Sequence, residues 1–109
     1  MSNIPVKPSI LTGIVDGLVE RSRKDGSMQR AGLAGGAQLA VIVREGWITM
    51  TIRRRAVPVG QREIETFRRH AKIPDTATLM TPPEQATRVV GADTWYFVTY
   101  SWRDIYAPL

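Results

Sequence analysis

The chain has no cysteine and a single histidine among its 109 residues, and these two shortages remove much of the chemistry open to a small enzyme. Without cysteine there is no thiolate nucleophile, no disulfide and no thiolate metal site. With His70 alone, a histidine-cluster metal centre is excluded, and a serine triad would have to recruit a residue at a predicted helix end. Acid is also scarce: 10 Asp and Glu stand against 15 Lys and Arg, a net charge of +5. No apolar run approaches the roughly 20 residues of a membrane span. The opening Met1-Ser-Asn-Ile-Pro-Val-Lys-Pro8 lacks the charged start and long apolar stretch of a signal peptide. These absences predict a soluble, cytoplasmic protein with no cofactor and no membrane attachment.

The remaining polar motifs do not assemble into catalytic groups. Glu63 and Glu65 lie two apart on a predicted helix and diverge, so they cannot act as paired carboxylates. Pro74-Asp75 with Glu84 supplies two elements of a metal-dependent nuclease pattern, but Gln85-Ala86 stands where a lysine should follow the second acid. The small, glycine-rich stretch Arg30-Ala-Gly-Leu-Ala-Gly-Gly-Ala37 lacks the lysine and hydroxyl pair of a triphosphate loop and precedes a strand instead of following one. It is predicted as a flexible connector.

What the chain does contain is a hairpin that can be read in register. In Gln38-Leu-Ala-Val-Ile-Val-Arg-Glu-Gly-Trp-Ile-Thr-Met-Thr-Ile-Arg53, a two-residue turn at Glu45-Gly46 pairs Arg44 with Trp47, Val43 with Ile48, Val41 with Met50 and Leu39 with Ile52. Directly opposed residues share a face, so these last six side chains form one apolar, buried side. The other side carries Gln38, Ala40, Ile42 and Arg44 against Arg53, Thr51, Thr49 and Trp47. A slip of one residue would turn the apolar set outward, so the register is strongly specified.

The flanking segments complete an α+β fold. Ser9 is a candidate cap for a helix over about 9–24 with Leu11, Ile14, Val15, Leu18 and Val19 inward, and Gly26 terminates it. A second helix over 61–72 buries Ile64, Phe67 and Ala71, carries acid early and base late, permits a Glu65–Arg69 pair and ends at Pro74. Thr78 to Glu84 reads as an extended connection because of its prolines. A second hairpin follows over 87–102, turning at Gly91-Ala92-Asp93. Its final strand alternates Trp95, Phe97 and Thr99 with Tyr96, Val98, Tyr100 and Trp102, which predicts a central strand or one with a partner-covered face. The expected architecture is a single small domain over 1–109, with an antiparallel sheet from hairpins at about 38–54 and 87–102, two helices, and flexible or extended tails at 1–8 and 104–109.

Twelve of the fifteen basic residues are arginine, whose planar fork suits phosphate and carboxylate. A GC-rich coding sequence would give the same excess without functional meaning. The candidate binding residues are Arg53, Arg54 and Arg55 with Arg68 and Arg69, and Trp47, Tyr100 and Trp102 as stacking surfaces. Along a strand the three consecutive arginines alternate, so at most two share a face.

The series Gly46-Trp-Ile-Thr-Met-Thr-Ile-Arg-Arg54, a proline shortly before Glu63-Ile-Glu-Thr-Phe-Arg-Arg69, then Leu79-Met-Thr-Pro-Pro-Glu84 and an aromatic strand ending Ser101-Trp102, resembles short uncharacterised proteins encoded by phages and other mobile elements. The resemblance covers residues 46 to 102 and implies an accessory protein of a mobile element; no catalytic residue comes with it. The leading expectation is a non-enzymatic module docking a protein partner, or another copy of itself, through its sheet or aromatic face. The alternative is a nucleic-acid binder using the arginine patch, and a small enzyme ranks third.

Overall fold

A computed structural model describes residues 8–33, 36–81 and 86–106. Two helices and six strands follow in the order α1 (Pro8–Asp25), β1 (Gln29–Gly32), β2 (Ala37–Arg44), β3 (Trp47–Arg55), α2 (Gln61–His70), β4 (Thr78–Leu79), β5 (Ala86–Val90) and β6 (Asp93–Arg103). The sheet is antiparallel throughout, ordered β1-β2-β3-β6-β4, with β5 also paired to β6. The expected α+β class is therefore the observed one. β6 is central: β3 runs along one edge, while β5 and β4 share the other.

The first hairpin folds in the register that its apolar alternation demands, with Val43 opposite Ile48, Val41 opposite Met50 and Leu39 opposite Ile52. All six are buried, and Val98 and Tyr100 of β6 continue the same face. Leu11, Val15 and Leu18 of α1 and Ile64 and Phe67 of α2 join them in one core. Both helices thus cover the same side of the sheet. Thr12 ties them together, its hydroxyl donating to the His70 carbonyl at 2.7 Å.

Several local readings change. α1 begins at Pro8, so Ser9 lies inside the helix instead of capping it; proline suits a first turn, whose N–H has no intrahelical acceptor. The end of α1 is at Gly26 as expected, where φ is +71° and the amide reaches the Ser22 carbonyl at 2.7 Å. Ser22 itself is fully buried: its hydroxyl donates to the Ser27 carbonyl (2.6 Å) and accepts the Val43 amide (2.8 Å), two residues beyond Val41, where β1 starts on β2. The glycine-rich connector contains strand β1, because edge pairing uses main-chain groups that small residues supply as well as large ones. Ala34 and Gly35 lie outside the described residues, as do Pro82 to Gln85 and the terminal segments 1–7 and 107–109.

Helix α2 stops at His70, before Pro74 can act. Lys72 takes a left-handed φ of +56°, its amide bonds Arg69 (3.4 Å), and the Ile73 amide bonds Arg68 (3.0 Å) while Ile73 is buried. This is a Schellman closure with its apolar contact. The Glu65–Arg69 pair is not among the ion pairs of the described residues.

The predicted C-terminal tail is anchored at its start. Asp104 is buried and accepts two bonds from Arg23, Nε at 3.0 Å and Nη2 at 2.9 Å. The Arg23 guanidinium also stacks over the Tyr106 ring at 5.4 Å. The bonds from Arg23 hold the Asp104 carboxyl below its ordinary pKa, helped by the Tyr106 amide and opposed by burial. A depressed folded-state pKa contributes stability that is present above the unfolded value of about 4 and lost as pH falls through the folded value. Asp104→Asn should therefore lower stability at neutral pH and flatten its decline below about pH 4. Urea midpoints across that range check this, and parallel profiles for the two proteins would refute it.

Candidate nucleic-acid interface

Strand alternation leaves the second sheet face without a helix. Its register places Arg30 and Gly32 of β1, Gln38, Ala40, Ile42 and Arg44 of β2, and Trp47, Thr49, Thr51, Arg53 and Arg55 of β3 on one side. Trp95, Phe97, Thr99, Ser101 and Arg103 of β6 and Arg88 of β5 join that side. Among the described residues, six arginines share this face with one carboxylate, Asp93, which pairs with Arg55 at 3.6 Å in an exposed contact. An exposed pair of this kind is worth little, about 0–1 kcal/mol, so it leaves Arg55 available to a ligand.

The face has three zones. At one end Arg53 lies over the Trp95 ring, 4.8 Å from its centroid, and donates from Nε (2.8 Å) and Nη2 to the side-chain oxygen of Gln38. Arg55, Arg88 and Phe97 surround this stack by register. In the middle, Thr51 bonds Thr99 at 2.9 Å and Thr49 bonds Ser101 at 3.2 Å, a neutral hydroxyl band. At the other end Arg103 stacks over Trp47 at 5.8 Å, and Arg44 reaches the Gly26 carbonyl at 3.0 Å.

The structure divides the arginine run expected to bind. Arg53 and Arg55 point to the open face, but Arg54 points into the core face and is buried. Its Nη1 donates to Glu63 Oε1 at 2.9 Å and its Nη2 to Glu63 Oε2, and the same Oε1 accepts the Gly60 amide at 3.1 Å, at the start of α2. Arg54 is therefore a structural residue and not part of the binding surface. Tyr100 is also removed: it is buried on the core face, with the Arg68 guanidinium stacked on its ring at 5.3 Å. Trp102 lies on that face too, in the wall of a cleft of about 460 Å³ shared with Val15, Val19, Lys72 and Tyr106. Arg68 and Arg69 belong to α2, across the sheet from the open face. Of the expected set, Arg53, Arg55 and Trp47 remain together on one side.

Sequence reasoning missed Arg30, Arg88, Trp95 and Phe97 as members of the same surface. Trp95 and Phe97 alternate with the core residues of β6 and were available as a signal once the buried side was known. Arg30 was hidden by the glycine-rich appearance of its strand.

No protein-family model matches the chain, and neither a curated protein nor a solved structure is significantly similar to it. The function therefore has to be argued from the surface itself. Among the described residues, no group of three or more His, Asp or Glu side chains is placed to hold a metal, and no helix is long and apolar enough to cross a membrane. Asp75 is exposed, and Glu84 of the nuclease-like pattern lies outside the described residues.

Proposed function

We propose that the protein binds single-stranded nucleic acid on the helix-free face of its sheet. The observation that carries this reading is the charge of that face, six arginines against the single carboxylate of Asp93, around the partly exposed rings of Trp95 and Phe97. Phosphates supply affinity to such a surface, and flat rings accept bases of any identity. Genomic bias can enrich a chain in arginine, and half of the twelve lie elsewhere, but it gives no reason for acidic side chains to be nearly absent from this face among the described residues.

A protein partner is the second reading, favoured by the outer strand β5. Val89 and Val90 are 71% and 53% exposed there, and an uncovered strand edge is a template for strand addition by another chain, including another copy.

Fluorescence anisotropy with labelled single-stranded and duplex DNA and RNA, titrated over salt, tests the first reading, with light scattering to fix the mass of the sample. Single strands should bind, with affinity falling steeply as salt rises. Absence of binding at low salt would remove the nucleic-acid reading; a mass above that of the monomer would then favour association through β5.

A further inference from the structure

We infer that the bound strand crosses the sheet diagonally instead of running along it, on a track from an open notch between Arg30 and Arg53 to Arg88 at the opposite edge. This rests on the nucleic-acid reading and assigns the ligand of that face as a short single strand of about four nucleotides, the lower end of known single-strand site sizes.

The notch has a volume of about 340 Å³ and is lined by Arg30, Ala31, Gly32, Gln38 and Arg53. Gly32 sits opposite Gln38 on the open face, and a Cβ built on it would meet nothing within 4 Å. The floor is therefore bare backbone under open space, where an anion can approach closely between two guanidinium groups. Arg53 is already oriented for this: its two bonds to Gln38 and its stack on Trp95 remove much of the rotamer freedom that a solvated arginine would lose on binding.

The distribution of cations sets the direction. Stepping across β1, β2, β3, β6 and β5, the face presents Arg30, then Arg53 with Arg55, then Trp95, then Arg88. Arg30 is level with Thr51 and Arg88 with Arg55, so four inter-strand steps of about 4.8 Å and a four-residue offset of about 13 Å make a diagonal path of roughly 23 Å. A lengthwise path would join Arg53 to Trp47, about 20 Å away at ~3.3 Å per residue. It would pass over the Thr49, Thr51, Thr99 and Ser101 hydroxyls, which are bonded to one another and bring no positive charge.

The test uses the full chain and a labelled oligothymidylate series from two to twelve nucleotides. Affinity should rise steeply to about four nucleotides and then level off. Gly32→Leu, whose Cβ would meet nothing within 4 Å and whose branch would extend into the notch, and Arg30→Ser should each weaken binding of the four-nucleotide probe at least tenfold. The paired change Trp47→Ser and Arg103→Ser, at the far end of the same face, should weaken that binding by less than about threefold, through the loss of one charge from the field of the face. A plateau reached only at about eight nucleotides or beyond, with loss in the Trp47/Arg103 variant, would overturn the crosswise track while preserving the binding function. Unchanged affinity in Arg30→Ser would overturn the notch even if Gly32→Leu failed to fold. Failure of the unmodified protein to bind any probe would instead remove the underlying reading.

Discussion

Glu63→Leu is expected to destabilise the protein by about 3–5 kcal/mol, because it leaves the Arg54 charge buried without its carboxylate. The two side chains are 6% and 3% exposed, so water cannot readily take over. The same carboxylate accepts the Gly60 amide where α2 begins, and losing that bond leaves a helix-terminal donor to be satisfied elsewhere. A domain of this size has about 5–15 kcal/mol in total, so one side chain controls a large part of it. The double replacement Arg54→Met with Glu63→Leu should recover most of the loss, since apolar residues of similar volume often match or exceed a buried ion pair. Urea unfolding followed by tryptophan fluorescence reads both proteins. A single-variant cost below about 1 kcal/mol would show that Arg54 escapes to solvent when unpaired. The pair joins the end of β3 to the first turn of α2, and so sets how that helix lies over the sheet.

Removing three arginines from the open face should have the largest effect on binding. The triple change Arg53→Ser, Arg55→Ser and Arg88→Ser is expected to weaken single-strand binding about 100-fold or more. It should also reduce the slope of log affinity against log salt by about 2, at ~0.7 per phosphate contact on a single strand. A control triple of Arg62→Ser, Arg69→Ser and Lys24→Ser removes the same charge from exposed helix positions and should cost less than about threefold, through long-range attraction alone. Equal losses in the two triples would mean that net charge, and not the face, drives association. Arg54 and Arg68 are left out of both sets because each is engaged with the body of the fold, Arg54 with Glu63 and Arg68 with Tyr100.

The parts of this fold visible in the chain are those governed by neighbours in sequence. The Glu45-Gly46 turn and the strict alternation around it specify one register, because every other pairing exposes the apolar set. Gly26 ends α1 for an equally local reason, its freedom to adopt positive φ. Strand β1 carried no such signal, since an edge strand with an alternating half-exposed pattern needs only amides and carbonyls in the right place. Lys72, in place of a glycine, closes α2, and its role shows only once the Ile73 side chain is seen to be buried behind it.

The candidate site divides along the same line. Alternation alone required that Arg53 and Arg55 share a face and that Arg54 oppose them, and composition alone supplied the arginine excess. Alternation also marked the buried side of the first hairpin, but which side of β6 would join it was not a local property. Both sides of β6 are aromatic or apolar in sequence, so Tyr100 and Trp102 looked as available as Trp95 and Phe97 until α2 placed Phe67 and Arg68 on one of those sides. Nothing local in the sequence pairs Glu63 or Asp104, because their partners Arg54 and Arg23 lie 9 and 81 residues away. The sequence by itself determined the two helices, the first hairpin with its register and the charge of the molecule, all of which follow from periodicity and counting. Only the tertiary structure decided which arginines are buried, which rings are open and which acids are paired, because those outcomes depend on contacts between segments that no local pattern brings together.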